Sequence, residues 1–393
     1  MNRKHTLSKK APLLSMFLSC CLGTLAAAMA PQNFGPEVGY LISSAYALAA
    51  LFLFNWWFSP QFKGCFRLEI PFQTLLTLLI PFGVKTLLDV IVTAVEAGWY
   101  FHPTVLSLCM AIVAGFGEEV MYRGLLVPIG MGFLKKHRVF LTVFTSSVIF
   151  GAMHLFNAGS GAGMTLAILQ AVATTFGGIF FAAIYLRSGS ILVPIVLHGV
   201  YDWICFVTDP TLDNGIMTGD VTVGLVLAVL IGLTISPPLG YLLSFEYIKR
   251  RYGLENYPLF LADLEREKKA AWFEFRVLPD SIVGVRDRLG DALKAGGCSD
   301  RQTNRAMLLF EELLMGIHDC NPGRTVLAEC AIEIGDVVRI ITKDDGRIVD
   351  LTDSDLGVSS LRAYTLSNLL QAHAARRVHM PALSYNRNVL EIR

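Results

Sequence analysis

The chain has 393 residues, of which 53% are hydrophobic and 17% charged, with a mean hydropathy of +0.52 and a formal net charge of +1. Soluble domains carry about 25% charged residues, so these values exclude a single water-soluble globule, a disordered chain and a nucleic-acid binder driven by bulk charge. Residues 1–248 hold 12 Lys/Arg and 11 Asp/Glu, whereas the remaining 145 hold 21 and 21. The composition therefore changes at Lys249-Arg250-Arg251, from a chain too apolar for water to one ordinary for a soluble domain.

A spanning helix needs about 20 mostly apolar residues. Eight segments meet this, at 12–30, 36–58, 70–97, 104–132, 139–157, 164–186, 190–208 and 221–248. Every Lys and Arg of the connecting loops falls on one side, including Lys9, Lys63, Arg67, Lys135, Arg138, Arg187 and Arg250. The positive-inside rule then puts both termini in the cytoplasm. The first segment ends in Ala28-Met29-Ala30, as a signal peptide would, but its apolar run is long for one and reads as an uncleaved helix. The eight cysteines show no paired metal-binding spacing and read as reduced thiols. Gly159, Gly161 and Gly163 make a hairpin turn without the strand or lysine of a phosphate loop.

Charges inside spans are costly, roughly 2.5–3.5 kcal/mol each at the bilayer centre, and those that persist are usually paired or functional. The fourth segment contains Glu118-Glu119 and Arg123. Glu119 and Arg123 are four apart, so on an α-helix they share a face and neutralise each other. Glu118 is rotated by about 100°, away from that cation, and suits general acid or base work. The fifth segment brings Phe150 and His154, the seventh His198 and Asp202, again four apart. Glu118, His154, His198 and Asp202 could converge in a bundle. Two chemistries suit such a set: binding of Zn2+ or another divalent metal, or direct activation of a water with His198 and Asp202 orienting or stabilising an oxyanion. Taken singly, an intramembrane Glu–Arg pair is often a clamp and a lone histidine a packing residue; three spans bearing such groups together argue for a site. Lys85 and Asp89 in the third segment, also four apart, read as a self-neutralised pair.

Glu118-Glu119 with Arg123, Phe150 with His154, and His198 with Asp202 resemble the EExxxR, FxxxH and Hxxx(N/D) motifs of the CPBP family, the type II CAAX prenyl endopeptidases and their bacterial relatives, also called Abi proteins. The resemblance covers roughly residues 70–248 and implies an eight-helix intramembrane protease. It assigns Glu118 and His154 to water activation, Glu119 and Arg123 to the same catalytic motif, and His198 and Asp202 to the tetrahedral intermediate or to a metal. Eukaryotic members more often have Asn where Asp202 stands.

Residues 249–272 are charged and helix-prone, as a linker helix would be. From 273 the pattern is mixed α/β, with strands at 273–279, 326–334, 337–343 and 385–392 and helices at 281–295, 301–318 and 359–374. This order, with Glu311-Glu312 late in a helix and Asp344-Asp345-Gly346 after a strand, resembles the histidine-kinase-type ATPase fold, nearest its anti-sigma-factor relatives. The resemblance implies a nucleotide site with Glu312 as base and Asp344 with Gly346 reading adenine. The metal-holding Asn is missing, because Gly316 stands at its place, and no Gly-rich lid is visible in 357–366. ATP or ADP sensing competes here with a degenerate, protein-binding role.

The expected architecture is an all-α polytopic membrane bundle of about eight transmembrane helices (1–248), a linker (249–272) and a cytoplasmic α/β two-layer sandwich (273–393). The expected function is intramembrane endopeptidase action on a membrane protein or peptide, in a bacterial plasma membrane, under control of the cytoplasmic domain or a regulatory protein it binds, with no nucleic acid involved. The competing readings are a catalytically silent scaffold or immunity protein, an ion-path transporter, and a membrane-anchored nucleotide sensor.

Overall fold

A computed structural model describes residues 34–58, 63–68, 70, 72–133, 138–160, 163–212, 221–235, 271–347, 351, 360–372, 376–380 and 385–393. The first apolar segment (12–30), the end of the last one and residues 249–270 of the linker lie outside the described residues, while the linker's last two residues open a strand. The chain divides into two compact units, the first made of Met1–Pro60 and Cys65–Glu255 and the second of Gln61–Gly64 and Asn256–Arg393.

The elements described in the first unit are all helices. Helices α1 (Pro36–Phe58), α2 (Phe72–Ala97), α3 (105–133), α4 (Arg138–Met153), α5 (Met164–Ser188), α6 (Leu192–Thr208) and α7 (Val223–Ile235) coincide with seven of the apolar segments. Four stretches are long and apolar enough to cross a membrane by length and composition: Leu75–Ala97, Val105–Met131, Val139–Gly159 and Met164–Ser188. The apolar helix Leu192–Thr208 is shorter, so four helices meet that joint test of length and composition among the described residues. On α2 the residues Phe72, Leu76, Ile80, Val84, Leu87, Ile91 and Val95 form one exposed apolar stripe. Leu75 and Phe82 are buried on the other side. That division suits a helix with lipid on one face and protein on the other.

Sequence punctuation sets the helix ends. Thr104 accepts the Ser107 backbone N–H at 3.0 Å while the Ser107 hydroxyl accepts that of Thr104, a reciprocal cap that starts α3. Gly189 closes α5 at φ 73°, a left-handed position natural to glycine, and its N–H reaches Tyr185 O.

The second unit contains a five-stranded antiparallel sheet, β1 (Ala271–Val277), β2 (Val326–Glu333), β3 (Val338–Asp344), β4 (Arg376–Met380) and β5 (Tyr385–Ile392), ordered β1-β2-β3-β5-β4. Helices α8 (Pro279–Ala295) and α9 (Asp300–Asp319) precede β2, and α10 (Ser360–Ala372) precedes β4. Leu289, Leu293, Phe310 and Leu314 pack with Val326, Ile332, Ile340 and Leu390 in one core, so α8 and α9 rest on the sheet. The residues of β4, read from sequence as connection, pair with β5 instead.

Candidate active site

The segment bearing the paired carboxylates is not an ordinary α-helix. Val113–Glu118 and Val120–Leu126 are π-helical, with α-helical turns before and after. Such wider turns recur at functional sites, and a pure α-helical period would not have revealed this one. Gly115 lets α6 come close: a Cβ there would stand 2.6 Å from Gly199 Cα and 2.6 Å from Ile195 O. A small-residue seam of this kind brings backbones into contact. It places α6 directly beside the carboxylates.

Glu119 and Arg123 are both fully buried. Glu119 Oε1 accepts from Arg123 Nη1 at 2.7 Å and from His198 Nδ1 at 2.7 Å. The guanidinium lies 4.5 Å from the centre of the Phe150 ring and 5.5 Å from that of Phe181, a cation held between aromatic faces. Gly178 leaves room for it, since a Cβ there would meet Arg123 Nη2, Phe150 Cδ1 and Ser147 Cβ, each at 3.1 Å.

Glu118 has a different fate. Its side chain is 31% exposed, and Oε2 lies 4.0 Å from His198 Nε2. Asp202, on the next turn of α6, places Oδ2 3.6 Å from the same nitrogen. His198 is thus gripped from behind through Nδ1 and presents Nε2 to two carboxylates. Its ring also stacks on Phe181, with centroids 4.7 Å apart.

His154 begins the 3-10 segment His154–Ser160, where α4 has just ended. Its Nδ1 is 3.1 Å from Phe150 O, so the ring caps the end of that helix. Phe150 meets His154 edge-on at 5.1 Å and His198 at 5.9 Å; the two imidazoles flank one phenyl ring. Gly151 permits this close packing, because a Cβ there would stand 2.5 Å from Ala171 O on α5.

The structure therefore gathers Glu118, Glu119, Arg123, His198 and Asp202 into one contact network, with His154 joined to it through Phe150. The network suits a water held between a carboxylate and an imidazole. Among the described residues no three His, Cys, Asp or Glu groups are already gathered as a metal cluster. Both imidazoles commit Nδ1, to Glu119 and to Phe150 O, which leaves Nε2 as the free ring nitrogen of each, the orientation a metal-ligating histidine also takes.

Residues 100–204 match the family model described as Rce1-like, type II CAAX prenyl endopeptidase Rce1-like. The match contains all six site residues and covers about a quarter of the chain, making this segment similar to a protease family. No curated protein and no solved structure matches significantly.

Sequence reasoning missed three neighbours of the site. Phe181 beneath His198, the second bond of Glu119 and the Tyr201 hydroxyl bonded to Lys85 and Asp89 of α2 all depend on contacts between helices. Only Tyr201 carried a signal, being three residues from His198 and so near its face.

In the second unit Asp344 is fully buried. Its carboxylate accepts from Asn386 Nδ2 at 2.8 Å, Asn388 Nδ2 at 2.8 Å, Arg377 Nη1 at 2.9 Å and the Gly346 N–H at 3.1 Å. Glu312 pairs instead with Arg362, 3.4 Å away. Asp344 and Gly346 thus form a hub in which the protein itself supplies the hydrogen-bond donors.

Proposed function

We propose that the protein is an intramembrane endopeptidase that hydrolyses a peptide bond in a membrane-associated protein or peptide. The observation that carries this reading is the half-exposed Glu118 carboxylate facing His198 Nε2 and Asp202 within an apolar helical unit. A water lodged beside Glu118 gives up its proton to that carboxylate, assisted by His154, and attacks the scissile carbonyl carbon. The oxyanion that forms accepts a hydrogen bond from His198 Nε2, which Asp202 faces at 3.6 Å and whose ring Glu119 and Arg123 hold from behind. Collapse of the intermediate breaks the C–N bond, and Glu118 returns the proton to the leaving amine. The 4.0 Å between Glu118 Oε2 and His198 Nε2, a span one water can bridge, supports this route.

The second unit is, in this reading, a cytoplasmic regulatory module that gates cleavage or recruits the substrate. The internally satisfied Asp344 supports a protein-facing role over adenine reading, since a nucleotide would have to displace donors already bonded to that carboxylate.

The test compares terminal peptides in membranes of cells carrying the wild type and Glu118→Ala. Purified protein is assayed in parallel with a farnesylated CAAX peptide, the substrate class named by the matched family. A precursor that accumulates in the Glu118→Ala membranes, with its wild-type junction absent, supports the reading and identifies the substrate. Identical peptide sets, with no cleavage of the farnesylated probe, refute it.

A further inference from the structure

Outside the segment that matches the protease family, α2 carries two charges on its inward side, Lys85 and Asp89, each with a side chain 13% exposed. They pair with each other, and they do more than neutralise. Lys85 Nζ donates to the Tyr201 hydroxyl at 2.7 Å, and that hydroxyl donates to Asp89 Oδ2 at 3.0 Å. The three groups close a triangle between α2 and α6. The ammonium also stands 4.3 Å from the centre of the Tyr201 ring.

Tyr201 lies on α6 between His198 and Asp202. Its ring packs 5.6 Å from Phe82 of α2, Phe82 packs 5.7 Å from Phe181, and Phe181 stacks on the His198 imidazole. A continuous pile of rings therefore runs from the charged triangle to the site.

This placement answers a mechanical need. The seam of Gly115 and Gly199 sets how close α6 comes, but two glycines present no side chain that would fix its rotation. Rotation decides where Nε2 of His198 and the carboxylate of Asp202 point. Asp202 Oδ2 stands 3.6 Å from His198 Nε2, beyond hydrogen-bond length, so its position follows the helix. Among the described residues two polar side-chain attachments hold this side of α6: His198 on Glu119, and Tyr201 on Lys85 and Asp89.

We propose that Lys85, Asp89 and Tyr201 are positioning residues that set the rotation of α6, and with it the aim of His198 and Asp202 at the reacting carbonyl. The proposal rests on the endopeptidase reading, but its geometric half is measurable without catalysis.

The experiment uses full-length protein in liposomes and Tyr201→Phe, which removes one oxygen and keeps the ring. A quenched-fluorescence peptide carrying the junction found in the terminal-peptide comparison reports kcat and KM. Separately, 15N-histidine spectra report the His198 ring N–H bonded to Glu119, assigned by its loss in His198→Gln. The expected result is a kcat lowered about 10- to 100-fold, since small misplacements are costly in rate. KM stays unchanged, melting is preserved and the His198 signal shifts. Wild-type kcat and an unmoved His198 signal overturn the proposal, as does a rate loss that merely tracks a fall in melting temperature. Should Tyr201→Phe fail to accumulate, the charge-free double variant Lys85→Gln with Asp89→Asn is read by the same criteria. If the wild type and Glu118→Gln show the same absence of cleavage, the endopeptidase reading fails. The spectra then decide alone: a shifted His198 signal in Tyr201→Phe sustains the positioning claim, and an unshifted one ends it.

Discussion

Gly115→Ala and Gly117→Ala differ by two residues and by one methyl contact, and they should behave oppositely. At Gly115 the new Cβ would lie 2.6 Å from Gly199 Cα, 2.6 Å from Ile195 O and 2.7 Å from Gly199 N, all backbone atoms. Carbon atoms rest at about 3.5–4.0 Å, so α6 must withdraw by roughly 1 Å. The bond from His198 Nδ1 to Glu119 Oε1 is 2.7 Å, and a withdrawal of that size carries it past hydrogen-bond range. Overpacking costs about 1–3 kcal/mol of stability, and a misplacement of about 1 Å costs on the order of 100-fold in rate. At Gly117 the nearest atoms to a Cβ are Ser44 Oγ and Val113 Cγ1, both at 3.8 Å, an ordinary contact. Gly117→Ala should therefore retain its rate while sharing every other feature of the change. The assay is cleavage of the junction peptide by matched amounts of each variant, with melting followed in detergent. Equal rates for the two variants, whether both normal or both lost, would refute the reasoning that the α3–α6 seam sets the site.

Two further outcomes follow from burial. Arg123→Met strands the Glu119 carboxylate, which is 0% exposed, and should lower stability by about 3–5 kcal/mol. Glu118→Gln, at a side chain 31% exposed, should cost little stability while abolishing cleavage. A thiol-reactive dye can report both melts, because Cys65 and Cys109 are buried free thiols. A Glu118→Gln melt as low as that of Arg123→Met would contradict the assignment of the two carboxylates. In the second unit, burial holds the His379 imidazole down at about 4, against the ordinary 6.5, with nearby Arg377 acting in the same direction. Because the unfolded state protonates first, stability of β4 and β5 is fully present above about pH 6.5 and falls as the pH drops toward 4. The loss between pH 7 and pH 5 is about 2 kcal/mol. Hydrogen exchange of the β4–β5 amides, corrected for intrinsic rates, should show this slope in the full-length protein and lose it in His379→Gln. A slope that persists in the variant would assign the pH dependence to other groups.

Much of the architecture was legible because membrane helices and sheet strands announce themselves locally. Apolar runs located seven helices, and the period-two pattern located β1, β2, β3 and β5 within a few residues. The pairing of Glu119 with Arg123 was legible for the same reason, four residues being a local distance. The misses are all non-local. No local signal marks the π-helical turns of 113–126, which lie where α3 meets Gly199 of α6. His154 does lie inside the apolar stretch Val139–Gly159, but the α-helix ends just before it and its ring caps that end through Phe150 O, which no local pattern foretold. The strand β4 begins Arg376-Arg377, which reads as exposed loop. In the fold Arg377 finds Asp344 at 2.9 Å and His379 Nδ1 meets Asn386 Oδ1 at 3.2 Å. The pair Lys85–Asp89 looked complete in itself because its third member, Tyr201, lies 112 residues beyond Asp89.

The two adjacent carboxylates of α3 show why the site needs both. A buried acid can be a fixed strut only if its charge is met on the spot, and Glu119 meets that condition through Arg123 and His198 at once. Such a strut transmits position: it orients the imidazole from behind and leaves the other ring nitrogen facing outward. An acid that must take and return a proton has the opposite requirement. It must be reachable by water, and its partner must not hold it so tightly that one protonation state is frozen. Glu118 stands 4.0 Å from Nε2, too far for a direct hydrogen bond and close enough for a water to bridge the two groups. Interchanging the environments would disable both roles, because a half-exposed strut would lose its aim and a fully buried, ion-paired base would lose its water. In the proposed endopeptidase the Glu-Glu sequence is thus two different devices one residue apart, separated by the direction each side chain takes from a helix pinned to α6 at Gly115.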